Sequence, residues 1–185
     1  MKTLSRFALI ALGTLSASAP LAQAQGYPAK PVRFIIPFPP GGPTDLMGRT
    51  AADRLTKAFG VQFIADNRAG AGGNIGTELC AKSPQDGYTV CMFTVAQSIS
   101  PAIYKKLGYD PLKDFAPVTL MAILPSMLTT HPSLPVKNVK ELVALAKARP
   151  GALSYASTGN GTSPHMLMEM FKAIVGIDVV HIPYK

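Results

Sequence analysis

The sequence predicts an α/β fold built on parallel strands flanked by helices, and three observations carry that expectation. Apolar strand-like runs alternate with helical stripes, the strand ends are rich in glycine and proline, and the alternation occurs twice with a proline-broken passage between. Such alternation implies parallel strands joined by right-handed crossovers. A chain of 185 residues suits one domain or two small ones. At 48% hydrophobic and 15% charged, it can bury a core and is no disordered tail.

The elements follow in order. The run "VRFIIP" (32–37) reads as a buried strand bounded by prolines. Met47, Ala51, Leu55 and Phe59 then recur every four residues, and Gly60 stands where a helix C-cap belongs. "VQFIADN" (61–67) is a second strand, "AGAGGNIG" leads into a helix ending near Lys82, and "YTVCMFTV" (88–95) is a third strand. A Pro-rich passage holds one short helical turn around 102–106, and "TLMAILPSMLTTHPSLP" reads as extended chain running between two lobes. Val139, Leu142, Val143 and Ala146 mark an amphipathic helix, "LSYAS" (153–157) a strand, and Leu167, Met170, Phe171 and Ile174 a further helix. "VVHIPY" (179–184) is the last strand, an abrupt place for a chain to stop.

The leading residues read as an export signal. Lys2 and Arg6 give a positive start, Phe7 to Leu15 is mostly apolar, and Ala22-Gln23-Ala24 offers small residues for cleavage after Ala24. That run is shorter than the ~20 residues a spanning helix needs. The division expected is therefore a signal over 1–24, a first lobe over 25–118 and a second over 119–185. Loss of Lys2 and Arg6 takes the net charge from +8 to +6. The cations are scattered, with no aromatic-flanked basic stripe, so nucleic acid is not an expected partner and a mild preference for anions is. An exported protein permits a bridge between Cys80 and Cys91. Cys80 nevertheless lies in a helical pattern and Cys91 in a strand-like run, which reads better as two separate core thiols.

Three strand ends hold the candidate sites. After the first strand, "PFPPGGPTD" stiffens the chain with prolines, frees backbone at Gly41 and Gly42, and offers Thr44 or Asp45 as helix cap. Outward N–H groups at a helix start suit an anion. The spacing lacks the lysine of a phosphate-binding P-loop, and a tight turn without ligand would use the same residues. "YASTGNGTSPH" (155–165) repeats the pattern with Ser157, Thr158, Gly159 and Thr162. Thr94 and Ser98, leaving the third strand, could read the far end of a ligand or form an ordinary polar loop. "GAGGNIG" (70–76) has Ile75 where a dinucleotide fingerprint needs glycine, so it reads as a close backbone approach and no cofactor is expected. No set of residues resembles a metal site. A hydrolase using Ser163 and His165 is the alternative. Its elbow has histidine where the second glycine belongs, and residues two apart do not share a helix face.

These segments together resemble one family, the periplasmic solute-binding receptors of tripartite tricarboxylate transporters, also called Bug receptors. The residues that match are "YPAKPVRFIIPFPPGGPTD" (27–45) with Arg49, "DNRAGAGGNIGTE" (66–78), "SPQDGYTV" (83–90), "YDPLKDFAPV" (109–118), "ELVALAKARPGALSYASTGNGTSPH" (141–165) and "HIPYK" (181–185). The resemblance implies a two-lobe, Venus-flytrap α/β receptor, not an enzyme, that closes on a di- or tricarboxylate, an amino acid or an aromatic acid. It implies that Gly41, Gly42, Thr44 and Asp45 hold the carboxylate from one side, and Ser157, Thr158, Gly159 and Thr162 from the other. It also implies a periplasmic location and membrane transporter subunits as partners. Members of the family are about twice as long, so the rest of the second lobe and its return strands are expected to lie outside this sequence, and a non-functional fragment of such a receptor is the further alternative.

Overall fold

The computed structural model describes residues 26–184, so the export-signal reading of residues 1–24, with cleavage at Ala24, lies outside the described residues. Strand β1 (Val32–Ile36) is the middle of a three-stranded parallel sheet, between β2 (Phe63–Asn67) and β3 (Thr89–Cys91). A central parallel strand is covered on both faces, and VRFII supplies the continuous apolar run this requires: Val32, Phe34, Ile35 and Ile36 are all buried.

Helix α1 (Pro43–Phe59) crosses one face of this sheet. Pro43 opens it, where a missing N–H costs nothing, and left-handed Gly60 closes it with an N–H to the Thr56 carbonyl. The residues it buries are Asp45, Gly48 and Ala52, one step off the expected stripe, while Phe59 is exposed. The reason is size. Small residues let the helix axis approach the sheet, and Ala51 and Leu55 pack along the flank of the Val32–Phe34–Ile36 core.

The third strand is shorter than its apolar run suggests, because α3 (Val95–Ile103) begins four residues after β3 ends. This helix replaces the loop expected at Thr94 to Ser98. Thr94 is its N-cap: the Thr94 hydroxyl accepts from Ala96 N–H, and the Gln97 side chain accepts from the Thr94 N–H at 2.8 Å, closing a capping box. Helix α2 (Asn74–Ala81) lies between β2 and β3 in sequence and is joined to β3 by a Cys80–Cys91 disulfide. The expectation of two separate thiols is therefore corrected. Cys80 sits in the last turn of α2 and Cys91 at the end of β3, with Cα atoms 6.3 Å apart, inside the bridging range.

Residues 104–138 contain neither helix nor strand, and Leu112, Val118, Ile123 and Met127 within them are between 82% and 90% exposed. A second unit follows: α4 (Val139–Ala148), β4 (Ser154–Ser157), α5 (Ser163–Val175) and β5 (Val180–Pro183). Asn138 caps α4 by accepting the Glu141 N–H at 3.0 Å. β4 and β5 pair in parallel, Ser154 opposite Val180 and Ser157 opposite Pro183. Ala146, Ile177 and Val179 form a separate core with Phe171, Met168 and Leu153 packed on it.

Two outcomes test this packing. Replacing both Cys80 and Cys91 by alanine is expected to lower the unfolding free energy by about 3 kcal/mol, the value for a loop closed over 11 residues; urea unfolding with and without reductant measures it. Gly48→Ala, a gain of about 1 kcal/mol on helix propensity alone, is expected to destabilise. The added methyl would stand 2.7 Å from Ile36 Cδ1 and 2.9 Å from Met92 Sδ, an overpacking cost of about 1–3 kcal/mol, and thermal unfolding gives the sign.

Candidate functional site

The first strand end is organised around a buried carboxylate. Gly42 is the N-cap of α1 and has no side chain to donate or accept, so Asp45 on the first turn reaches back. Its Oδ2 accepts the Gly41 N–H at 2.9 Å, and its Oδ1 accepts Arg49 Nε at 2.9 Å and Asn67 Nδ2 at 2.8 Å. Arg49 Nη2 donates to Asn67 Oδ1 at 2.7 Å, and Asn67 Nδ2 also donates to the Phe38 carbonyl. The Arg49 hydrogen bond, then the Gly41 N–H and Asn67, hold the Asp45 carboxyl at about 2, below its ordinary 3.8. The chain's own anion thus occupies the helix-start position, and the Gly41 N–H is engaged by it. Gly41 is left-handed, with open space around it, and Thr44 is half-buried beside it. Arg49 and Asn67 complete the network, and neither stands among the candidate site residues read from the sequence. The i,i+4 spacing of Asp45 and Arg49 was a readable signal; the strand-end position of Asn67, 22 residues away, was not.

The other glycine-rich strand end joins β4 to α5. Gly159 and Gly161 take positive φ values of 122° and 77°, which side chains rarely adopt. Thr162, the N-cap of α5, is buried and turns its hydroxyl inward to donate to the Gly159 carbonyl at 2.7 Å. Ser157, also buried, accepts the Gly159 N–H at 3.2 Å and lies 2.7 Å from His181 Nε2. Thr158 is exposed at the tip. The Ser163–His165 pairing of the hydrolase alternative does not form. His165 Nδ1 accepts the Gly161 N–H at 3.1 Å, and in this corner the serine that meets a histidine is Ser157, beside His181. A side chain on the first turn of a helix cannot reach one two residues along, because they point more than a quarter-turn apart.

The turn at 70–73 links the two strand ends. A Cβ on Gly73 would stand 3.2 Å from the Phe38 ring and 2.4 Å from Gln97 Nε2; one on Gly72 would stand 2.8 Å from the Asn160 carbonyl. Tyr104, closing α3, donates its hydroxyl to the same Asn160 carbonyl at 3.4 Å. The loops holding Gly41 to Asp45 and Ser157 to Thr162 are therefore connected through this glycine turn. Thr94 sits nearby through its capping bond to Gln97, and Ser98 is exposed on α3. Beneath the turn, the Tyr109 hydroxyl donates to Asn74 Oδ1 at 2.6 Å, and Asn74 Nδ2 and Gln97 Nε2 have no partner among the described residues. Two open clefts among the described residues lie elsewhere, one along the free edge of β2 beside Arg49 and Asp53, the other between Leu128 and Leu142. The polar chemistry belongs to the glycine corners, so neither cleft marks the site.

Comparison with known proteins places this geometry in context. A family model described as a tripartite tricarboxylate transporter family receptor matches residues 47–185. Protein BugT of Bordetella pertussis (strain Tohama I) is 38% identical over 178 residues, an overlap of 95% of this chain and 54% of BugT. A solved Rhodopseudomonas palustris structure with adipate superposes with a TM-score of 0.83 at 38% identity, over 86% of this chain and 54% of the other. MatC of the same species, with bound malate, gives a TM-score of 0.79 at 27% identity over 85% and 54%. The chain spans about half the length of the curated relatives it matches.

The Asp45 network predicts an acid limb of stability. A carboxyl lowered from 3.8 to about 2 on folding stabilises the protein above pH 3.8, and that contribution is lost as pH falls through about 2. Asp45→Asn is expected to be less stable than the wild type at neutral pH, with the difference closing over this window. Acid titration followed by circular dichroism measures it, and a constant difference down to pH 2 would exclude the charged role.

Proposed function

This chain belongs to the tripartite tricarboxylate transporter receptor family, and from that premise we propose that it captures a small carboxylate in the periplasm for membrane transporter subunits. The observation that carries the reading is the pair of glycine-rich strand ends, Gly41 to Asp45 and Ser157 to Thr162, linked through the 70–73 turn. Backbone N–H groups and hydroxyls at two helix starts favour an anion with delocalised charge. Adipate and malate, held by two structural neighbours, support a short dicarboxylate as the ligand class, with tricarboxylates, amino acids and aromatic acids as variants of the same headgroup.

In this reading, Gly42 and Thr44 meet one carboxylate from the first unit, and Thr158 from the second, where the Gly159 N–H is held by Ser157. Thr94 and Ser98 face the distal end. Asp45 is scaffold, its charge matched by Arg49 so that it does not repel the ligand. Water bridges to the carboxylate would let acids of different length share one headgroup site. Ligand held by both units favours the closed arrangement by its differential affinity. Export through residues 1–24, cleaved after Ala24, brings the receptor to its ligand, and residues 25–118 and 119–185 are the two lobes.

The test is a thermal-shift and calorimetric screen of the chain against adipate, malate and their dimethyl esters. A dicarboxylate at a hundred times its Kd is expected to stabilise by about 2.7 kcal/mol, with no response to the ester. Thr158→Val is expected to weaken binding by about ten- to a hundredfold, since a hydrogen bond to a charged group is worth roughly 1.5–3 kcal/mol. Equal response to acid and ester would overturn the carboxylate reading.

A further inference from the structure

We propose that His165 and His181 are positioning residues: together they hold the Ser157–Thr162 corner in the shape that receives a carboxylate, and protonation of the pair releases it. The inference rests on the carboxylate-binding reading above and adds a pH dependence to it. Each end of the corner is tied to one imidazole. At the β4 end, the Ser157 hydroxyl lies 2.7 Å from His181 Nε2 on the neighbouring strand. At the α5 end, the Gly161 N–H donates to His165 Nδ1 at 3.1 Å. The two rings then stack on each other, centroids 4.1 Å apart and planes 13° from parallel. Tyr155 stacks on His181 as well, at 4.7 Å and 17°, so the His181 ring lies between two others.

The arrangement tolerates the neutral rings and opposes the charged ones. His165 Nδ1 can accept from Gly161 only while it carries no proton; a proton there sets one N–H against another. Charging both rings would bring two cations face to face at the stacking distance. The other ionisable groups facing the stack are Tyr155 on β4, whose hydroxyl donates to Glu169 at 2.6 Å, and Glu169 and Lys172 on α5, paired at 2.8 Å. Glu169 attracts a proton toward His181, but its own charge is shared with Lys172 and Tyr155. Burial and the neighbouring His165 outweigh it and push His181 below the ordinary histidine value of 6.5. A histidine lowered on folding contributes stability above its unfolded value, and that contribution is lost as pH falls through the folded one. His181 thus takes its proton only on the acid side of 6.5, and the stack it shares with His165 then carries charge.

Ring and amide NMR of the labelled chain from about pH 8 to pH 5, followed by adipate calorimetry over the same range, tests this. The Gly161 amide is expected to shift with the histidine titration in the absence of ligand. Adipate affinity is expected to fall about tenfold toward the acid end, beyond the small change due to the ligand's own carboxyls. His165→Asn places an acceptor near the Nδ1 position that does not titrate. This variant is expected to keep neutral-pH affinity within about threefold and to lose the acid-side fall. His165→Phe, lacking the acceptor, is expected to bind about tenfold more weakly at every pH. A Gly161 amide indifferent to histidine protonation, or a wild-type acid fall retained in His165→Asn, overturns the proposal. Absence of adipate and malate binding at about pH 8 in every variant instead overturns the carboxylate reading, whatever the Gly161 amide does.

Discussion

Asp45 lies where the first strand, the first helix and the end of the second strand come together, and its oxygens gather donors from all three. A carboxylate only 4% exposed is costly to bury unless every lone pair has a partner. Here the partners are a backbone N–H, a guanidinium and an amide, each from a different element. Satisfying the charge therefore fixes the path of the proline-stiffened loop, the start of α1 and the rim position of Asn67 in one step. The 70–73 turn then packs on Phe38 from that loop, and the second glycine corner packs on the turn through Asn160. One buried ion thus fixes the geometry of both glycine-rich strand ends.

Much of this architecture was legible in the amino-acid order. β1 announced itself as an unbroken apolar run, and the end of α1 followed from Gly60; its start did not, because Gly42 takes the cap position expected for Thr44 or Asp45. The β4–α5–β5 unit was readable from alternating periodicity and two glycine signals. Helix α3 was not, because Pro101 and a short polar start masked it. Its stability comes from the capping box between Thr94 and Gln97 and from burial of Ala96, Gln97 and Ser100, features of packing and not of pattern. The buried face of α1 was misread by one step because size, not hydrophobicity, decides which side approaches a sheet. The Cys80–Cys91 bridge was hidden for a related reason: a helix turn and a strand end approach each other only once the sheet is assembled.

The candidate site divides the same way. Glycines and hydroxyls at strand ends are local signals, so Gly41, Gly42, Ser157, Gly159 and Thr162 could be singled out from spacing. What could not be read is how their donors are apportioned. The Gly41 N–H serves Asp45, and the Thr162 hydroxyl serves Gly159. The Ser157 hydroxyl serves a histidine 24 residues further on. The two units carry separate cores, and the residues between them are exposed.

The disulfide has a mechanical consequence. By stapling the last turn of α2 to the end of β3, it fastens the far end of the short rod whose near end carries the 70–73 turn. That turn is thereby a fixed abutment of the first sheet, unable to slide with whatever presses on it. The irregular stretch from 104 to 138 joins the two units, and Asn160 is where the second unit bears on that abutment.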